Sequence, residues 1–435
     1  MTHTDSAGEW RLWNLTITWV LLIPLLFLAA QGAPSIDRAE YNVQTDSGAG
    51  TIRPNSDSAQ KHIEQLIVYS ILSIVLVAYS PRYAPVLKRN IILLLLPLLA
   101  LISSAWSQAP LITVETSAAS MIVLLLGVYL TLRFTPERQM ELFLATGIAF
   151  IVLSIAFVVL CPSIGVDQAY GHGEWQGICN HKNKFATAMV YLLMPACFVR
   201  VTSRFRRGVI VMYMLCATLG VVMSRARTGW LLLIVALSVA GFMKWQAQFP
   251  KRERVILAAS FVMASVLMIV STVGYYAQIA LLLGKDSTLT GRTDVYKAIL
   301  IEVVREPIWG YGYMAFFIGR GEWLNFALRS RFIGLGNAEN PLLQVWLELG
   351  LIGVACLLVS LFQACRNAGL CLVNNPSGYT QWCIMMIFLN VAALLGGDKI
   401  MFPHTIEWLL YVIGYIGLST EAQRIRNRAH EINSR

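Results

Sequence analysis

LTGRTDVYKAILIEVVREPIWGYGY (289–313) and NAENPLLQVWLELGLIG (337–353) decide how this chain is read. Between them they hold most of the polar content of residues 277–340, a long insert lying between two apolar runs of membrane length. In a sequence that is 57% hydrophobic, an insert rich in arginine, carboxylate and glycine points to chemistry at a membrane surface. Within it, DVYKAILIEVV alternates apolar and polar residues at helical spacing behind Thr293 and Asp294, which predicts a short amphipathic helix lying on the membrane surface or on the bundle. REPIWGYGY then breaks that helix with Pro307, Gly310 and Gly312.

Outside the insert the chain is chiefly membrane. A mean hydropathy of +0.61 with 13% charged residues leaves too little polar surface for a soluble globule of 435 residues. A helix crosses a ~30 Å hydrocarbon layer in roughly 20 apolar residues, and about twelve such runs can be counted. They fall near 12–32, 63–80, 91–106, 117–133, 140–161, 184–200, 208–223, 229–243, 255–276, 341–364, 381–396 and 405–419. The expectation is an all-α polytopic integral membrane protein. Residues 1–435 form a single transmembrane domain, and residues 277–340 form one large periplasmic loop inserted between spans nine and ten.

Orientation follows from lysine and arginine, which are retained in cytoplasmic loops. PRYAPVLKRN, RFTPERQ, RVTSRFRRG and KWQAQFPKRER are basic, as is the tail QRIRNRAHEINSR. In a twelve-span arrangement they share one side, which places both termini in the cytoplasm and turns 162–183 and 277–340 outward. The net charge of +10 is then a topology signal and argues against nucleic-acid binding. The first run lacks a small-residue cleavage site and is flanked by Trp10, Arg11 and Trp13, as expected of a retained span. The eight cysteines lie mainly in or beside spans without C-x-x-C spacing, and His172 and His181 have no cysteine or carboxylate at ligand spacing. Neither a disulfide framework nor a zinc site is expected.

Four islands fall on the outward side: ISSAWSQAPLITVETS (102–117), EWQGICNHKNKFAT (174–187), MSRARTGWLLL (223–233), and the insert with LTGRTDVY, PIWGYGY and NAENPLLQVWLELGLIG. Their order and spacing resemble the O-antigen ligase/polymerase superfamily, in particular its exopolysaccharide-polymerase-like branch, over roughly residues 90–420. The resemblance implies a GT-C-like, metal-independent glycosyltransferase without cofactor, facing the periplasm from the bacterial inner membrane. Its donor would be an oligosaccharide on undecaprenyl diphosphate and its acceptor a glycan or a lipid-linked glycan. Membrane lipids and polysaccharide export or chain-length proteins are the implied partners. A polymerase is the first expectation. A ligase transferring finished glycan to lipid A core or to protein stays open, as does a small-solute transporter, although charges gathered at one face favour surface chemistry.

Such a transfer must stabilise a growing negative charge and remove one proton. The resemblance assigns diphosphate binding to Arg225, Arg227 and Arg292, a task suited to a planar guanidinium that grips phosphate oxygens bidentately; the alternative for the first two is snorkelling to the interface. The family's commoner pattern is His-Asn before an apolar helix, with the histidine as base, but this chain has Glu339-Asn340. A partly buried carboxylate with a raised pKa can take the proton, so Glu339 and Arg292 are the catalytic candidates, a positioning role for Glu339 staying open. Substrate contacts are expected from Asn340 and from His181, Lys182 and Asn183, whose alternative is capping of span six. Trp309 and Tyr311, beside Tyr313, fit either stacking on sugar rings or anchoring at the interface. Asp398, Lys399 and His404 fit pairing with one another or with lipid.

Overall fold

The computed structural model describes residues 21–30, 69–70, 72–73, 82–167, 173–274, 292–317, 326, 337–338, 340–396 and 405–433. These are helical almost throughout. In chain order the helices are α1 (Leu21–Ala30), α2 (Tyr83–Arg89), α3 (Ile91–Ile102), α4 (Pro110–Arg133), α5 (Pro136–Leu160), α6 (Lys182–Phe198) and α7 (Arg204–Met223). They continue with α8 (Arg227–Gln246), α9 (Lys251–Gly274), α10 (Arg292–Arg305), α11 (Pro341–Asn374), α12 (Gly378–Gly396) and α13 (Ile406–Asn433). Single helical turns occupy Ser103–Ala105 and Pro162–Gly165, and an antiparallel pair, β1 (Val166–Asp167) and β2 (Glu174–Trp175), sets Val166 opposite Trp175.

Among the described residues, five helices are long and apolar enough to cross a membrane: α4, α5, α7, α8 and α11. The pair α2 and α3, bent by 95°, makes a sixth if it is one span. The chain is thus an all-α membrane protein. Several boundaries lie beyond the expected spans. α4 opens at Pro110 rather than near 117, because the hydroxyls of Thr116 and Ser117 donate to the carbonyls of Ile112 and Thr113 one turn back, which lets a polar segment continue the helix. α11 runs to Asn374 and α13 to Asn433, so the basic tail is helical, as is much of the connector PRYAPVLKRN, which holds α2. The expected amphipathic helix of the insert is α10. It starts at Arg292, ahead of the expected Val295, and stops at Arg305 before Pro307.

The chain divides into two compact units. The first comprises Met1–Val86, Ile122–Ser238 and Met401–Ile413. Here α6 is buried on all sides, as a helix apolar around its whole circumference must be. Glycines let neighbours approach it. A Cβ on Gly220 would stand 3.1 Å from the Phe185 ring, and one on Gly147 would stand 3.1 Å from the Leu192 carbonyl and overlap Tyr213, whose hydroxyl donates to that same carbonyl at 2.9 Å. Phe150 of α5 stacks on Phe185 with ring centres 5.8 Å apart.

The second unit comprises Leu87–Met121, Val239–Ile400 and Gly414–Arg435. Its hub is α11, against which α3, α9, α10 and α12 pack. The described part of the insert has an apolar core of its own rather than forming a purely water-facing flap. Val295, Ile299 and Val303 of α10 join Tyr311, Phe316, Phe326, Ala338 and Leu347 in one buried cluster. Ordered apolar burial of this kind contributes roughly 25 cal/mol per Å², which holds the loop segments in place.

Candidate functional site

In the first unit, the starts of α6 and α8 lie side by side. Gly229, in the first turn of α8, faces Ala186 of α6 so closely that an added Cβ would come within 2.5 Å of the Ala186 Cβ. The islands holding His181-Lys182-Asn183 and Arg225-Ala226-Arg227 therefore meet at one end of this unit. Arg225 takes φ 52°, a left-handed conformation that costs a non-glycine residue about 1 kcal/mol. The turn enforces it: Arg225 N donates to Val222 O at 3.1 Å, Ala226 N to Ser224 Oγ at 3.2 Å, and Trp230 Nε1 to Val221 O at 3.0 Å. Both Arg225 and Arg227 are exposed. The first helical bond of α8 runs from Trp230 N to Ala226 O, so the preceding N–H groups open at the same end, where the helix dipole favours anions.

The neighbouring α6 start is more occupied. His181 caps it, its Nδ1 accepting from Asn183 N at 3.1 Å, which matches the capping alternative. Lys182 is ion-paired with Glu174 of β2, both largely buried, and so is a held cation rather than a mobile one. Nearby, burial pushes the Cys179 thiol far above its ordinary range, with Lys184 lowering it and Glu407 raising it.

In the second unit, PIWGYGY docks onto a break in α11. Gly350 has φ 65° and ψ −166°, a geometry nearly restricted to glycine, and a Cβ there would stand 1.9 Å from Ile308 O. Residues 307–313 satisfy the groups that the break releases: Tyr311 N donates to Leu347 O, Gly312 N to Glu348 O, and Leu351 N to Pro307 O, each at 2.9 Å. Gly310 and Gly312, with φ 67° and 97°, allow the chain this close. The first island closes the other side. Trp106 Nε1 donates to Trp309 O at 3.1 Å, Gln108 N to Tyr311 O at 3.3 Å, Tyr313 N to Ser103 Oγ at 3.0 Å and Thr113 Oγ1 to Tyr313 O at 2.9 Å. Islands far apart in sequence thus form one hydrogen-bonded knot.

The aromatic candidates separate within this knot. Tyr311 is 6% exposed, its hydroxyl donates to Glu302 O at 3.1 Å, and its ring lies 5.0 Å from that of Phe316. Trp309 is 51% exposed and meets Trp106 edge-on at 5.2 Å, so a broad part of its ring faces outward. Asn340 caps α11, its Oδ1 accepting from Leu342 N at 2.9 Å and Leu343 N at 3.1 Å. Glu339, Asp398, Lys399 and His404 lie outside the described residues, and Arg292 is described only as the first residue of α10.

Sequence reasoning passed over Gln344 and Glu348, buried polar neighbours one turn apart near the head of α11. Their signal was available: a glutamine and a glutamate at i, i+4 in an otherwise apolar helix. Ser103 and Thr113, which hold Tyr313, carry no such signal because either side chain also fits an ordinary helix.

Comparison with curated proteins finds no match. Residues 212–358 match the family model described as O-Antigen ligase, a stretch that encloses Arg225, Arg227, Arg292, Trp309, Tyr311, Glu339 and Asn340 and leaves out His181, Lys182 and Asn183. That stretch, which spans the α7–α8 turn and the head of α11, is similar to the O-antigen ligase family and supports the resemblance to the O-antigen ligase/polymerase superfamily.

Proposed function

We propose that this protein is a metal-independent glycosyltransferase that joins repeat units of a bacterial polysaccharide carried on undecaprenyl diphosphate, at the outer face of the cytoplasmic membrane. The observation that carries the reading is the family match over 212–358, which takes in the arginine-bearing turn before α8 and the Glu339-Asn340 pair before α11. In the reaction, an acceptor hydroxyl oxygen bonds to the donor's anomeric carbon while the bond from that carbon to the diphosphate oxygen breaks. The hydroxyl proton passes to Glu339, and the diphosphate leaves with the bonding pair.

Arg225, Arg227 and Arg292 take the role of holding the diphosphate, and the clustering of Arg225 and Arg227 at the opening of α8 supports this, because guanidinium and helix dipole favour the same charge. Trp309 offers a ring face to a sugar. Tyr311, Asn340 and His181 serve through the bonds already described, by fixing the segments that carry the reacting groups. The large insert faces the periplasm in this reading, both termini are cytoplasmic, and export or chain-length proteins receive the product.

Mass analysis of lipid-linked oligosaccharide and secreted polymer in cells lacking the protein tests the proposal. Accumulated single-repeat lipid carrier without polymer is the expected result. Full-length polymer retained on its lipid carrier would instead mean a ligase, and unchanged glycans with altered solute uptake would mean a transporter.

A further inference from the structure

Two buried side chains near the head of α11 form a polar chain that ends at the backbone just before the Glu339-Asn340 pair. Ala338 N donates to Gln344 Oε1 at 2.6 Å, and Gln344 Nε2 donates to Glu348 Oε1. Ala338 is fully buried, Glu348 is 2% exposed and Gln344 is 6% exposed. A neutral amide placed between a backbone donor and a carboxylate can serve both at once only in one orientation, with its oxygen toward Ala338 and its nitrogen toward Glu348. The carboxylate therefore selects the face that Gln344 presents to the turn. On the far side of that turn, Asn340 Oδ1 holds Leu342 N and Leu343 N, so the backbone is pinned on both flanks of position 339.

Glu348 is also the residue at which the docked loop meets α11, since its carbonyl accepts Gly312 N at 2.9 Å, two residues before the break at Gly350. One residue thus ties the 307–313 knot to Ala338, through its carbonyl on one side and, by way of Gln344, its carboxylate on the other. A buried ionisable side chain inside an apolar helix is costly, and an apolar residue would pack at this position at lower cost, so its presence fits a role in orientation.

We infer that Gln344 and Glu348 are positioning residues for glycosyl transfer, setting the turn from which Glu339 and Asn340 meet the acceptor. The inference rests on the functional reading of Glu339-Asn340 given above. A displacement of about 1 Å at a reacting group costs up to about 100-fold in rate, so losing the chain of bonds should lower turnover without lowering donor capture.

The test uses the full-length protein in lipid nanodiscs, supplied with lipid-linked oligosaccharide extracted from cells that lack the protein. Three quantities are read: amide exchange of the peptide containing Ala338, donor bound per protein, and kcat. Gln344→Met should speed exchange at Ala338 at least tenfold and lower kcat about 10- to 100-fold, with donor binding at the wild-type stoichiometry. Glu348→Gln keeps an acceptor oxygen for Gln344 and should restore both exchange and kcat to within about threefold of wild type, whereas Glu348→Leu should behave like Gln344→Met. Wild-type exchange at Ala338 in Gln344→Met would overturn the inference. Faster exchange with unchanged kcat would overturn the positioning role as well, and Glu339→Gln tells the two failures apart: if it too leaves kcat unchanged, the reading of the Glu339-Asn340 site has failed rather than its support.

Discussion

At the turn between α7 and α8 an arginine carries the strained backbone, whereas where the 307–313 segment meets α11 the positive φ values fall on Gly310, Gly312 and Gly350, with Met314 just beyond. The first region spends conformational energy to hold an exposed cationic side chain in a chosen direction. The second uses glycine to remove strain and to bring two backbones into hydrogen-bonding distance. In the first, side-chain chemistry faces outward and few contacts restrain it. In the second, backbone groups of Pro307, Trp309, Tyr311, Gly312 and Tyr313 bond to α11 or to the 103–113 segment. A grip on a charged group and a rigid frame for a reacting group make these opposite demands, and the comparison can be broken by substitutions on either side.

The largest effect is expected at Glu339, the proposed base. Glu339→Gln keeps the shape but cannot take a proton, so turnover of lipid-linked donor should fall by about two to four orders of magnitude while donor binding persists. Glu339→His should recover part of the rate, with a pH profile rising around the imidazole value of about 6.5. Wild-type turnover in Glu339→Gln would remove the general base from the head of α11 and leave the frame without its proposed purpose.

Next comes the frame itself. Gly350→Ala sets a Cβ against Ile308 O in a backbone geometry that alanine avoids, so undocking of 307–313 and a loss on the order of 3 kcal/mol are expected, read as a lower unfolding midpoint in nanodiscs. Gly208→Ala in α7 is the matched comparison in the first unit, since its added Cβ meets nothing within 4 Å and alanine is the better helix former. Equal effects of the two substitutions would show that the docked loop adds nothing to stability.

Much of this arrangement was legible beforehand, for identifiable reasons. The helix α10 announces itself through Val295, Ile299 and Val303 at helical spacing, and its stop through Pro307. The cations before α8 stand out because charge is rare in so apolar a chain. The break at Gly350 was not legible, since LELGLIG reads as uninterrupted apolar helix and only a docked partner reveals why the glycine is there. The fate of Tyr311 was hidden for a related reason: tyrosine in a glycine-rich loop has the same signature whether it meets a sugar or fills a core. The pair Gln344 and Glu348 could be found as polar residues at i, i+4 in an apolar helix, but the bond from Ala338 N to Gln344 Oε1 depends on which segment packs there, and periodicity carries no record of that.

Arg225 gives a smaller and more selective effect. Arg225→Gly removes the left-handed penalty together with the charge, so stability should hold or rise by about 0.5–1 kcal/mol while donor affinity falls. Arg225→Ala removes the charge and keeps the strain, and should lower affinity without the gain. Measuring both the unfolding midpoint and donor binding separates the two contributions. Unchanged donor affinity in both variants would make Arg225 an interfacial residue rather than part of a diphosphate grip.

The smallest effect is expected at Tyr311, where it distinguishes frame from contact surface. Tyr311→Phe deletes only the hydroxyl that donates to Glu302 O, and because that carbonyl belongs to α10 the loss should be about 1 kcal/mol of stability with turnover unchanged. Trp309→Ala, by contrast, leaves the backbone bond from Trp106 Nε1 to Trp309 O available and removes an exposed ring, so stability should change little while affinity for the glycan falls. A sugar stacking on Tyr311 would reverse the pair: Tyr311→Phe would still be tolerated, but Tyr311→Leu, which retains apolar volume in the core, would lose glycan affinity. If Tyr311→Leu keeps glycan affinity and loses only stability, the ring is part of the frame, and the boundary between structure and substrate runs between Trp309 and Tyr311.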